Sequence, residues 1–106
     1  MNSSIVYQVN LDVAEAIGDA YESWLTDHVR DMLKLPGFVS AEIFAEEVEP
    51  GLARRRWCVQ YRLIDRASLQ AYFDQHAARM RADGLNRFGN HFSASRRIMF
   101  PALKDD

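Results

Sequence analysis

The chain has 106 residues, 48% of them hydrophobic, and a net charge of −2. That length supports a single domain with a core of its own, which needs no disulfide or metal to fold. The lone Cys58 excludes an internal disulfide, and no apolar run approaches the ~18 residues of a membrane span. With no basic and apolar leader before Ile5, a cytoplasmic protein is expected, with Cys58 as an inert strand thiol. Charge is uneven along the chain. Residues 1–53 carry two basic and ten acidic side chains, net −8, and residues 54–106 eleven basic and five acidic, net +6. Glu42, Glu46, Glu47 and Glu49 before a turn, with Arg54, Arg55, Arg56 and Arg62 after it, predict cross-strand ion pairs in a hairpin.

Taken in order, Ile5 to Asn10 reads as a strand with Tyr7 and Val9 on one face and Gln8 and Asn10 on the other. Asp12, with Glu15 three residues on, resembles a capping box and is expected to open a long helix. Its apolar stripe is Ala14, Ile17, Tyr21, Trp24, Leu25, His28 and Met32, and Leu35-Pro36-Gly37 ends it. Phe38 to Glu49 alternates as a second strand, with Val39, Ala41, Ile43 and Ala45 on the helix side. Pro50-Gly51 is a turn. Arg54 to Leu63 is the third strand, with Trp57, Val59, Tyr61 and Leu63 inward. Asp65 caps a second helix with the stripe Leu69, Tyr72, Phe73, His76, Ala77 and Met80, stopping at Gly84. Phe92 to Phe100 is the fourth strand.

This β-α-β-β-α-β order is the split βαβ of the ferredoxin-like α+β fold, a four-stranded antiparallel sheet with two helices on one face. One such domain is expected over residues 1–106, with residues 102–106 a loose tail. The uncovered face carries Gln8, Glu42, Phe44, Gln60 and Arg62. It is too polar for a monomer core and suits the face-to-face meeting of two sheets in a homodimer.

Two segments repeat: Trp24-Leu25-x-x-His28-Val29-x-x-Met32 and Tyr72-Phe73-x-x-His76-Ala77-x-x-Met80, displaced by 48 residues. At helical spacing each histidine falls within an inward stripe. Together with Val6-Tyr7-Gln8-Val9-Asn10, Leu35-Pro36-Gly37-Phe38 and Arg56-Trp57-Cys58-Val59-Gln60-Tyr61, these segments resemble the bacterial family known as domain of unknown function 4286. More distantly the chain is similar to the dimeric α/β barrel superfamily, which includes cofactor-free antibiotic-biosynthesis monooxygenases, haem-degrading enzymes, isomerases and stress-response proteins. The resemblance implies the fold and a dimer, and it transfers no activity. Haem-handling members would place a polar residue on the first strand, a Trp on the third and a His on the second helix, for which Asn10, Trp57 and His76 are the counterparts.

The candidate pocket is His28, His76, Trp57, Tyr61 and Trp24, with the two imidazoles converging between helices and sheet. A neutral His there serves as a general base or orients a phenolic ligand. Alternatively, both histidines are packing residues with one ring nitrogen bonded. No HxH, HxxE or HxxxH spacing surrounds His28 or His76, so no metal and no cofactor are expected. The Arg54-to-Tyr61 run faintly echoes an RNA-recognition strand, but Arg56 and Cys58 stand where bases would stack, and no nucleic-acid partner is expected. Two readings stay open. One is a homodimer that binds a small, partly aromatic molecule with cofactor-free oxygenase-like or isomerase-like chemistry. The other is a non-enzymatic dimer that contacts proteins or senses a metabolite.

Overall fold

A computed structural model describes residues 4–103 and shows the ferredoxin-like fold, with the sheet order β2-β3-β1-β4. The strands are β1 (Ile5–Ala14), β2 (Phe38–Ala45), β3 (Arg54–Leu63) and β4 (Phe92–Met99). Helices α1 (Gly18–Met32), α2 (Arg66–Gln75) and α3 (Ala77–Phe88) cover one face, and the polar tail from residue 104 lies outside the described residues. All neighbouring strands are antiparallel. Ile5, Tyr7 and Val13 of β1 and Val59, Tyr61 and Leu63 of β3 pack against Tyr21, Leu25, Met32 and Leu69 of the helices, and all are buried. At about 25 cal/mol per Å² of apolar surface, this layer is the main source of stability.

Four local expectations fail for physical reasons. Asp12 does not cap a helix: β1 continues to Ala14, opposite Arg54, and α1 begins only after a 3-10 turn at Glu15–Ile17. On the sheet Asp12 Oδ1 accepts from Arg54 Nε at 2.7 Å and Oδ2 from Arg56 Nε at 3.3 Å. Nor do the arginines pair with the hairpin glutamates. Arg54 and Arg56 take Asp12, and Arg55 bridges Glu15 and Asp19 at 3.0 and 2.8 Å; β2 ends at Ala45, and a last backbone bond from Glu46 N to Arg56 O at 2.8 Å closes its pairing with β3.

Val39 does not face the helices. A bulge between Phe38 and Ser40 pushes it out, 57% exposed, and gives its inward place to Phe38, whose ring meets Tyr61 and Tyr72 edge-on. Finally, the second helix breaks at His76, whose φ of −129° and ψ of −29° separate α2 from α3, and Gly84 is interior to α3 rather than its stop. The helix ends at Gly89, with φ +55°.

The Asp12 cluster predicts a pH dependence. The hydrogen bond from Arg54, more than any other cause, holds its carboxyl below the ordinary 3.8. A depressed folded value means the stabilisation is present above the unfolded value and is lost as pH falls through the folded one. The Asp12 side chain is 36% exposed, so screening limits the contribution to about 1 kcal/mol at most. Asp12→Asn is therefore expected to lose up to about that amount at pH 7 and nothing at pH 2, by urea denaturation at both pH values. An equal loss at both would show that the ion pairs are not the cause.

On the open face, rungs run Glu42–Gln60–Gln8–Arg97 and Phe44–Cys58–Asn10–Ser95 across the sheet. Gln60 Nε2 donates to Gln8 Oε1 at 3.0 Å, and Gln8 Nε2 donates to Asn10 Oδ1 at 3.2 Å, a chain of amides with Phe44 42% exposed beside it.

Candidate functional site

A cavity of about 270 Å³ lies between α1, α3 and the β1–β4 half of the sheet. Alternation on β1 points Tyr7, Val9 and Leu11 into it, and β3 adds Val59 and Tyr61. From the helices come Tyr21, Trp24, His28, Met80 and Arg81, and β4 contributes Phe92, Ala94 and Arg96. The cavity persists beside α3 because Gly84 stands where a larger residue would meet Trp24: a Cβ there would be 2.9 Å from Trp24 Cη2. The indole is fixed between the two helices by donation from Nε1 to Asp83 Oδ2 at 2.7 Å.

Of the five residues singled out in the sequence, His28, Tyr61 and Trp24 line this cavity, and His76 and Trp57 do not. His28 is half-buried and stacks on Trp24, ring centroids 4.6 Å apart and 20° from parallel. Burial lowers its pKa from 6.5, against the opposing pull of Asp31 and Asp83, so the imidazole is neutral at pH 7. His76 sits at the break between α2 and α3 with Nδ1 2.9 Å from Arg79 Nη2. A guanidinium only donates, so Nδ1 accepts there. The two imidazoles therefore do not share the cavity: His28 lines it and His76 does not, although Tyr72, Ala77 and Met80 on either side of the break keep their inward phase. Trp57 is 4% exposed, stacked on Tyr21 at 6.0 Å, and faces the groove between α1 and β2. Asn10 lies on the open face and Trp57 on the helix face, so Asn10, Trp57 and His76 form no common site.

Tyr7, Tyr21, Tyr61 and Tyr72 all line the cavity. Burial raises the pKa of Tyr61 and Tyr21 above 10 and pushes Tyr72 up to about 12, so all three hydroxyls are protonated donors at neutral pH. Tyr7 Oη accepts from Arg81 Nη2 at 3.0 Å. Sequence reasoning did not single out Arg81 and Arg96. For Arg96 the signal was present: it alternates in phase with Phe92, Ala94 and Ile98, which makes it the polar member of an inward row. Among the described residues no group of three or more His, Cys, Asp and Glu is placed to hold a metal ion. None of the described helices is long and apolar enough to cross a membrane.

The sequence profile of Domain of unknown function (DUF4286) matches residues 4–101. The chain belongs to this family. No curated protein matches the DUF4286 chain in sequence. Solved structures do match its fold. A mutant of SnoaB, a cofactor-independent oxygenase from Streptomyces nogalater, superposes with a TM-score of 0.72 at 13% identity, covering 96% of each chain. A dimeric ferredoxin-like protein from an uncultured marine organism gives 0.72 at 11% identity over 96% of this chain and 98% of its own. A conserved protein from Methanosarcina mazei Go1 gives 0.69 at 12% identity over 92% of each. At such identities the likeness is one of fold.

Proposed function

We propose that this DUF4286 protein is a bacterial, cytoplasmic homodimer that binds a small, partly aromatic molecule in the helix–sheet cavity. The observation that carries the reading is the cavity itself: about 270 Å³, walled by aromatic rings, with a neutral imidazole and protonated phenols on its surface. A dry apolar cavity of roughly 150 Å³ holds benzene, so this volume suits a substituted or fused ring system. His28 is placed to accept a proton from a bound phenol or activated carbon acid, and the tyrosine hydroxyls are placed to donate to the oxygen that becomes charged. That is the chemistry a cofactor-free oxygenase or an isomerase asks of its protein, and SnoaB, a cofactor-independent oxygenase, shares the fold. His76, held to Arg79 at the helix break, is structural in this reading. The open sheet face, with its amide chain and Phe44, is the surface proposed for pairing with a second copy, and one fold relative is itself dimeric.

The test is an amide-shift map of the protein titrated with a set of one- and two-ring aromatics. Perturbations are expected to cluster on Tyr21, His28, Met80 and Ala94, and to vanish in Ala94→Phe, which fills the cavity while leaving the melting temperature within a few degrees. Shifts confined to the open sheet face, or none for any compound, would overturn the ligand reading. Sedimentation in the same buffer reports the dimer, which Gln8→Arg together with Gln60→Arg is expected to dissociate.

A further inference from the structure

Two guanidinium groups border the cavity, Arg81 from α3 and Arg96 from the edge strand β4, and no Asp or Glu lines it. Arg30, Arg54, Arg55, Arg56 and Arg87 each meet a carboxylate, whereas among the described residues Arg81 and Arg96 make no ion pair, as is also true of Arg62, Arg66, Arg79 and Arg97, none of which lines the cavity. Arg81 is half-buried. Its Nη2 donates to Tyr7 Oη at 3.0 Å, while its Nε is buried and finds no acceptor. Removing water from a cation without a counter-charge is costly, and a neutral ligand that displaced water from beside this half-buried guanidinium would incur that cost. We infer that the ligand is an aromatic carboxylate, its ring among Tyr21, Tyr61 and Trp24 and its carboxylate held by Arg96 from the sheet and Arg81 from the helix.

The geometry favours this over a neutral aromatic in three further respects. Tyr7 accepts from Arg81, which leaves its own O–H to donate to the same anion. A planar guanidinium matches a carboxylate with paired N–H donors, a fit that no neutral carbonyl returns with equal strength. Arg96 is exposed at the mouth, so it meets an incoming anion in solvent before the ring is buried.

The inference rests on the ligand reading above, and the experiment separates the two. 2-Naphthoate and its neutral isostere 2-naphthamide are titrated at pH 7, followed by quenching of tryptophan fluorescence, into the wild type, Arg81→Gln, Arg96→Gln, Arg96→Lys and Ala94→Phe. The wild type is expected to bind the carboxylate at least about tenfold more tightly than the amide, since a hydrogen bond between two charged groups is roughly twice as strong as a neutral one. Each Gln variant should reduce that preference to about threefold or less, with the carboxylate losing more than the amide, and Arg96→Lys should keep part of it. Equal binding of both compounds, abolished in Ala94→Phe, would overturn the carboxylate assignment and leave the cavity reading intact. A preference that survives both Gln variants would overturn the assignment to these arginines. Binding of neither compound by the wild type would overturn both readings.

Discussion

Gly37→Ala is expected to lower the unfolding free energy by about 3 kcal/mol or more, from two separable causes. Gly37 follows Pro36 in the turn between α1 and β2 with φ +86°, a left-handed conformation that costs an L side chain about 1–2 kcal/mol. A Cβ there would also lie 2.3 Å from Ser68 Cβ, in the first turn of α2, where neither backbone is free to retreat. Gly37 further fixes the start of β2, since its carbonyl accepts from Ile64 N at 2.9 Å. Urea denaturation measures the sum, and repeating Gly37→Ala in a Ser68→Gly background separates the parts. The steric share disappears there and the dihedral share of about 1–2 kcal/mol remains. A cost that is undiminished in that background would mean the Ser68 approach is not a real constraint.

Tyr21→Ala is expected to cost about 4 kcal/mol, in the range for removing a buried aromatic ring. Tyr21 is 1% exposed and joins every layer of the cavity half of the protein. Its ring lies 5.0 Å from Phe88, 5.1 Å from Phe92, 5.3 Å from Trp24 and 6.0 Å from Trp57, contacts that tie α1 to α3, β4 and β3. Tyr21→Phe keeps those contacts and gives up only a hydroxyl that borders the cavity, so it should stay within about 1 kcal/mol of the wild type. Thermal and urea unfolding of both variants check the pair, and similar losses in the two would place the stabilisation in the hydroxyl instead of the ring.

What was legible in the sequence was what short stretches of chain decide by themselves. Pro36-Gly37 announces a helix end because its dihedral demands are local. Asp65 announces a cap for the same reason, and its Oδ1 does accept from Ser68 N at 2.8 Å. Alternation along β1 and β3 assigned the inward tyrosines and the outward glutamines correctly because a strand has a period of two wherever it does not bulge. Asp12 defeats local reasoning: the arginines that draw it into the sheet are 42 and 44 positions away. Gly84 does so as well, since the indole that requires its small size stands on α1. At Val39 one bulged residue reversed the expected face. The candidate site was half visible. Trp24, His28 and Tyr61 line the cavity, whereas Trp57 is inward as expected but faces the α1–β2 groove and His76 lies elsewhere, since phase along an element says which face a residue is on and not which cavity it meets.

The break at His76 is narrow. His76 N still donates to Tyr72 O, and Met80 N to His76 O, both at 2.9 Å, so the helical hydrogen bonds enter and leave the residue and only its own dihedrals depart. From this helical stretch the cavity takes Arg81 and not His76. The internal repeat would have supplied a matched pair of imidazoles, a symmetric site suited to passing a proton between equals. Under the proposed function, α1 brings an imidazole to the cavity and α3 a guanidinium, so the two halves of a duplicated pattern present unlike groups. The cavity thus carries an imidazole on one helical wall and a guanidinium on the other, in place of two imidazoles. A bound ring would therefore have one orientation rather than two.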